Sequence, residues 1–114
     1  MKPAQKLLFV CGQNRIRSLT AERMYEGFHL YEVLSAGTVP AARVRVTQEH
    51  LEWADIIFVM ELEHAQSLRR KFKAALDKKR VICLNIPDTY GYMNLGLIKE
   101  LKAKLKDYVA VPKG

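Results

Sequence analysis

Lys6-Leu7-Leu8-Phe9-Val10-Cys11-Gly12-Gln13-Asn14-Arg15-Ile16-Arg17-Ser18 decides how the chain is read. Lys6 to Val10 is almost wholly apolar, as expected of a strand buried on both faces of a parallel sheet. A Cys-Gly pair ends the run and the period changes. Ala21, Met24, Tyr25 and Phe28 fall at i, i+3, i+4 and i+7, which predicts an amphipathic helix starting near Ser18, a residue type favoured at N-caps. The stretch is thus a strand, a tight loop and a helix start.

The rest of the chain repeats this alternation. Glu32 to Ala36 reads as a second strand closed by Gly37, and Thr47 is placed to cap a short helix through Trp53. Asp55 to Met60 is the clearest strand, followed by Leu62, Ala65, Leu68, Phe72 and Leu76 at helical steps of three and four. Arg80 to Ile86 is a fourth strand, and Leu95, Ile98, Leu101, Leu105 and Tyr108 mark a last helix. This order, with no internal repeat or linker, predicts one α/β domain over residues 1–114. The expected architecture is a doubly wound four-stranded parallel sheet with helices on both faces, its strand order taken as 2-1-3-4. Ligands of such sheets bind beyond the carboxyl ends of the strands. Residues 11–18, 37–46, 61–63 and 87–93 occupy that edge.

Composition narrows the class. With 114 residues, 49% of them hydrophobic, the chain can bury one small core, and six Gly with four Pro exclude a low-complexity chain. The N-terminal apolar run is too short for a membrane span and reads as a strand, not a signal peptide. Two cysteines, Cys11 and Cys83, make no disulfide framework and lack zinc-site spacing, which suits a reducing cytoplasm. Nineteen Lys and Arg against twelve Asp and Glu give +7, pointing to an acidic partner. Most of that charge lies in residues 69–80, seven bases and one acid, read as a solvated helix end directed away from the 11–18 loop.

The 11–18 loop carries the chemistry. A loop passing from a strand end into a helix start turns its backbone N–H groups inward and adds the positive end of the helix, so Gly12, Gln13, Asn14, Arg15, Ile16, Arg17 and Ser18 are expected to cradle a phosphate. Cys11 would stand at the floor, held as thiolate by the same field. Arg17 could grip two phosphoryl oxygens at once, Ser18 could donate to the sulfur, and Asn14 could pin the loop through side-chain to backbone hydrogen bonds. An acid is needed to protonate the leaving oxygen. Asp88, just past the fourth strand, is the favoured candidate over Glu61 and Glu63.

Taken together, the strand, the Cys-x-x-Asn-x-x-Arg-Ser loop and the helix resemble the active site of the low-molecular-weight protein tyrosine phosphatases. Ser35-Ala36-Gly37-Thr38, Ala54 to Glu61 and Pro87-Asp88-x-Tyr90 agree in the same order. The resemblance implies Cys11 as nucleophile, Arg17 as phosphate clamp and Asp88 as general acid and then base. It implies a phosphorylated protein or a small aryl phosphate as partner, with neither cofactor nor metal. Three departures stand out: Thr89 follows Asp88 where the family usually has Pro, Ile16 replaces a second loop cysteine, and residues 39–46 are short and lack an aromatic wall. Tyr90 is expected to stack on a substrate ring. Arg43 and Arg45, with Arg15, are expected to form a basic rim favouring acidic substrates.

Other readings are bland or belong to other classes. Cys83 reads as strand packing, and His29, His50 and His64 as surface or capping residues without ligand spacing. Trp53 and the five Tyr show no interleaving with bases, which argues against a nucleic-acid platform. An arsenate reductase would need Cys83 to assist Cys11. A silent phosphate-binding module would keep the loop but leave Asp88 out of reach.

Overall fold

The computed structural model describes residues 4–113. Its elements are β1 (Gln5–Cys11), α1 (Arg17–Met24), β2 (Tyr31–Gly37), α2 (Gln48–Trp53), β3 (Ile56–Val59), α3 (Leu62–Leu76), β4 (Arg80–Cys83) and α4 (Leu95–Leu105). The four strands form one parallel sheet of order β2-β1-β3-β4, as the sequence predicts. No described helix is long and apolar enough to cross a membrane.

Strand residues alternate between two cores, which is why the apolar runs are nearly continuous. Leu7, Phe9, Cys11, Phe58 and Ile82 face a cluster completed by α1 and α4. Leu8, Val10, Ile57 and Val59 face another, completed by α2 and α3, against which Val81 and Cys83 pack. The two clusters hold the sheet from both sides.

Several boundaries move for local reasons. Helix α1 stops at Met24 because the chain turns through Gly27 at φ 77°, so Phe28 leaves the helix to pack with Tyr25 and Tyr31. Ser18 is not the N-cap. Ile16 holds that position, and Ser18 lies buried in the first turn. Thr47 does cap α2, accepting from the His50 backbone N–H. Strand β4 ends at Cys83 rather than Ile86, since Asn85 adopts a left-handed φ of 55°, although Leu84 and Ile86 still donate to Val59 and Met60. Tyr108 lies beyond α4, its ring against Phe58 and beneath Arg80.

The basic run occupies the C-terminal part of α3 and the entry to β4, at the edge opposite the carboxyl ends of β1 and β3. Lys79 donates to the carbonyls of Glu52 and Ala54, closing the end of α2. Arg69, Arg70, Lys71, Lys73 and Lys78 are exposed, as a solvated helix end requires.

Candidate active site

Cys11 ends β1 and is 3% exposed. Its Sγ accepts the Asn14 backbone N–H at 3.3 Å and lies 2.9 Å from Ser18 Oγ. The hydroxyl's direction is set by the groups behind it. The Glu22 carboxylate can only accept, so Ser35 donates to it at 2.6 Å and must itself accept from Asn14 Nδ2 at 2.8 Å. That fixes the Asn14 amide, whose Nδ2 also donates to Ser18 Oγ at 2.8 Å. Ser18 is left with its proton to give to Cys11. Asn14 therefore holds the loop through two hydroxyls, not through the backbone as expected from the sequence. It sits at φ 57°, a conformation Asn tolerates better than most residues. Its Oδ1 is buried without a partner among the described residues.

No side chain caps α1, so its positive end faces the loop. Arg17, the first helical residue, is 6% exposed. Its Nη1 donates to the Glu61 carboxylate and, at 2.8 Å, to the carbonyl of Ile86. A charge this buried is tolerable only when paired and hydrogen-bonded, and both conditions are met. Nε and Nη2 make no hydrogen bond among the described residues, and Asp88 Oδ1 stands 3.9 Å from Nε. One edge of the guanidinium is fixed and the other remains for a ligand.

A cavity of about 250 Å³ opens over the sulfur. Cys11, Gly12, Gln13, Arg15, Ile16 and Arg17 line it from the loop, while Val39, Glu63, His64 and Asp88 form its walls. The predicted nucleophile, clamp and acid thus meet in one place. Of the rival acids, Glu63 shares the wall and Glu61 is taken up by Arg17. A larger neighbouring cavity, of about 440 Å³ between Glu61, Leu62, Glu63, Asn85 and Pro87, contains no nucleophile.

Three expected substrate contacts lie elsewhere. Tyr90 donates its hydroxyl to Glu100 on α4 and packs against the core, so it does not line the cavity. That bond raises the Tyr90 phenol above its ordinary range and, with Lys104 next, holds the Glu100 carboxyl below its own. Arg43 braces the loop from outside, its backbone N–H donating to Gln13 and its Nε to the carbonyl of Asn14. Arg45 forms a backbone bridge with Gly37. Neither lines the cavity, whose walls carry Arg15 against Glu63 and Asp88. No rim of one sign results.

Gly37 is required where β2 meets the loop. A Cβ there would stand 2.6 Å from Ala42 Cβ and closer still to the Gly12 carbonyl oxygen. Thr38 and Val39 donate onward to the carbonyls of Cys11 and Gly12, completing the brace.

Sequence reasoning missed the place of His64. It is a capping residue as expected, its Nδ1 accepting the Glu61 backbone N–H, but it is buried and lines the cavity. Burial, and next the Arg17 guanidinium, push its imidazole below the ordinary range. The Glu61-x-x-His64 spacing was the available signal. Glu61, Glu63 and His64 also bring ligand atoms within 4.8 Å of one another, a grouping absent from the sequence reading, though Glu61 is already engaged by Arg17. Cys83, by contrast, donates to Asn85 Oδ1 and packs on the opposite face of the sheet from Cys11.

No protein-family model and no curated protein matches the sequence. Solved structures do match. Wzb of Vibrio vulnificus, solved with benzylphosphonate, is 20% identical at TM-score 0.74, covering 92% of this chain and 97% of its own. The low molecular weight protein tyrosine phosphatase SP-PTP of Streptococcus pyogenes is 15% identical at TM-score 0.72, covering 93% and 94%. The YwlE arginine phosphatase of Geobacillus stearothermophilus is 23% identical at TM-score 0.63, covering 90% and 94%. The chain has the fold of these proteins, in agreement with the sequence resemblance.

Proposed function

We propose that the protein is a cysteine-dependent phosphomonoesterase of the protein tyrosine phosphatase type, hydrolysing phosphotyrosine or a similar aryl phosphate. The observation that carries this reading is the convergence of Cys11, Arg17 and Asp88 on one cavity of about 250 Å³. The shared fold supports it.

In the first step the Cys11 thiolate attacks phosphorus. The S–P bond forms as the bond to the leaving oxygen breaks, and Asp88 delivers a proton to that oxygen. Loop amides and the unbonded edge of Arg17 hold the non-bridging oxygens, while Ser18 steadies the sulfur. In the second step the Asp88 carboxylate takes a proton from water, the water oxygen attacks phosphorus and the S–P bond breaks. Phosphate leaves and the thiolate returns.

Two other readings fare worse. A silent binding module has no use for Asp88, which stands on the cavity wall. A reductase needs a thiol that reaches Cys11, and the sheet separates Cys83 from it. Two free cysteines support a reducing, cytoplasmic setting. The test is hydrolysis of a chromogenic aryl phosphate with chelator present. Turnover by the parent and none by Cys11→Ser supports the reading, and turnover that survives Cys11→Ser refutes it.

A further inference from the structure

His64 has no part in the chemistry just described, yet it is 4% exposed and borders the same cavity as Cys11, Gly12 and Asp88. Its two ring nitrogens are not equivalent. Nδ1 accepts the Glu61 backbone N–H at 3.0 Å, so it carries no hydrogen, and the neutral ring must keep its proton on Nε2. Burial and the Arg17 guanidinium oppose a second proton, against the lesser pull of Glu63, Glu61 and Asp88. The ring is therefore a donor locked in one tautomer.

That donor has no acceptor among the described residues. The carboxylate oxygen Glu63 Oε1 is 3.8 Å from Nε2, beyond hydrogen-bond distance. The side chain is buried, but Nε2 itself is not fully enclosed, so a ligand or water in the cavity can accept its hydrogen. Nε2 lies 3.9 Å from where a Cβ on Gly12 would stand. Gly12 comes directly after the nucleophile in the loop, and its missing side chain leaves the imidazole edge open to the cavity.

We infer that His64 Nε2–H donates to a non-bridging oxygen of the bound phosphoryl group, beside the loop amides and Arg17. The ligand chemistry is a phosphoryl oxyanion met by a neutral donor. The inference rests on the proposed phosphatase reading for the identity of that group. The His64 cap of α3 thereby gains a second role, because the bond at the start of the helix also aims the proton.

Two variants separate these roles. His64→Asn keeps an acceptor near the Nδ1 position but has no reach into the cavity, whereas His64→Gln brings an N–H close to the Nε2 position. Inorganic phosphate binding by calorimetry, kcat/KM on the chromogenic aryl phosphate, and thermal unfolding are measured for both variants and the parent. A hydrogen bond to a charged group implies that His64→Asn weakens phosphate binding and lowers kcat/KM by about tenfold. Its unfolding should stay near the parent's, and His64→Gln should recover part of the loss. If His64→Asn binds phosphate like the parent, or if both variants are equally impaired, the imidazole only caps α3 and the inference falls. A parent that binds phosphate without hydrolysing the ester refutes the phosphatase reading, while the binding comparison still decides the role of His64. A parent that binds no phosphate overturns both.

Discussion

Strands β1 and β4 both end in cysteine at the same edge of one sheet, but the chain beyond each sulfur takes a different course. After Cys11 it curls at once into α1, so Sγ is met by a backbone N–H, a serine hydroxyl and the positive end of a helix. After Cys83 it passes through Asn85 into an extended loop, and Sγ meets one amide oxygen. Residue type and strand position are shared. The turn after the strand makes one sulfur a candidate nucleophile and leaves the other a packing group.

The comparison breaks most readily by exchanging the sulfurs for inert groups. Cys11→Ser should lower kcat by roughly 10⁴-fold or more, as loss of a nucleophile does, while Cys83→Ala should leave it near the parent value. Comparable losses would end the distinction. Peroxide sharpens the same contrast, since a phosphate-poised thiolate oxidises through sulfenic acid and the sheet bars Cys83 from trapping it. Mass spectrometry should find Cys11 carried on to sulfinic and sulfonic acids. A Cys11 to Cys83 disulfide would contradict the arrangement described.

The loop after β4 contributes Asp88, so its weight is measurable apart from the sulfur. Asp88→Asn should cost about 10²-fold in kcat with a phenolate leaving group, and much less with nitrophenolate, which departs without a proton. Equal losses would shift the role to Glu63.

Bracing of the first loop is tested at Gly37. Gly37→Ala forces a Cβ onto the Gly12 carbonyl and Ala42, and overpacking of this kind costs about 1–3 kcal/mol. Urea unfolding should show that loss, and an unchanged midpoint would mean the brace yields freely. The smallest effect concerns acid. His64 is held below its ordinary range, so the unfolded chain binds a proton that the folded chain refuses. Stability should decline as pH falls below about 6.5, the unperturbed imidazole value, and the decline should be shallower in His64→Asn. Parallel unfolding curves from pH 7 to 5 would remove His64 from the acid response.

How much of this was legible in the sequence depended on reach along the chain. The alternation of strand and helix, and the strand-loop-helix passage at Cys11, were readable because period and turn chemistry are local. The other half of the site arrives from afar: Glu61 meets Arg17 across 44 positions, Ile86 across 69, and Ser35 meets Asn14 across 21. Nothing near residue 17 announces that its guanidinium already has a partner. The settings of Tyr90 and Arg43 were out of view for the same reason. Their side-chain hydrogen-bond partners, Glu100 and the Asn14 carbonyl, become neighbours only when α4 and the 38–46 segment fold back. His64 was half legible, as a cap but not as a wall.

The series Glu22, Ser35, Asn14, Ser18 and Cys11 has one link outside the continuous run from β1 through the loop into α1, and it is Ser35 on β2. This strand lies at the margin of the sheet, where amides exchange with solvent through opening motions far smaller than global unfolding. Each such opening would withdraw the Asn14 amide's second anchor and loosen the serine that serves the sulfur. Warming should therefore silence the protein over a range in which its remaining strands are intact. Faster deuterium uptake at Leu34 and Ser35 should report that loss before any spectroscopic sign of melting.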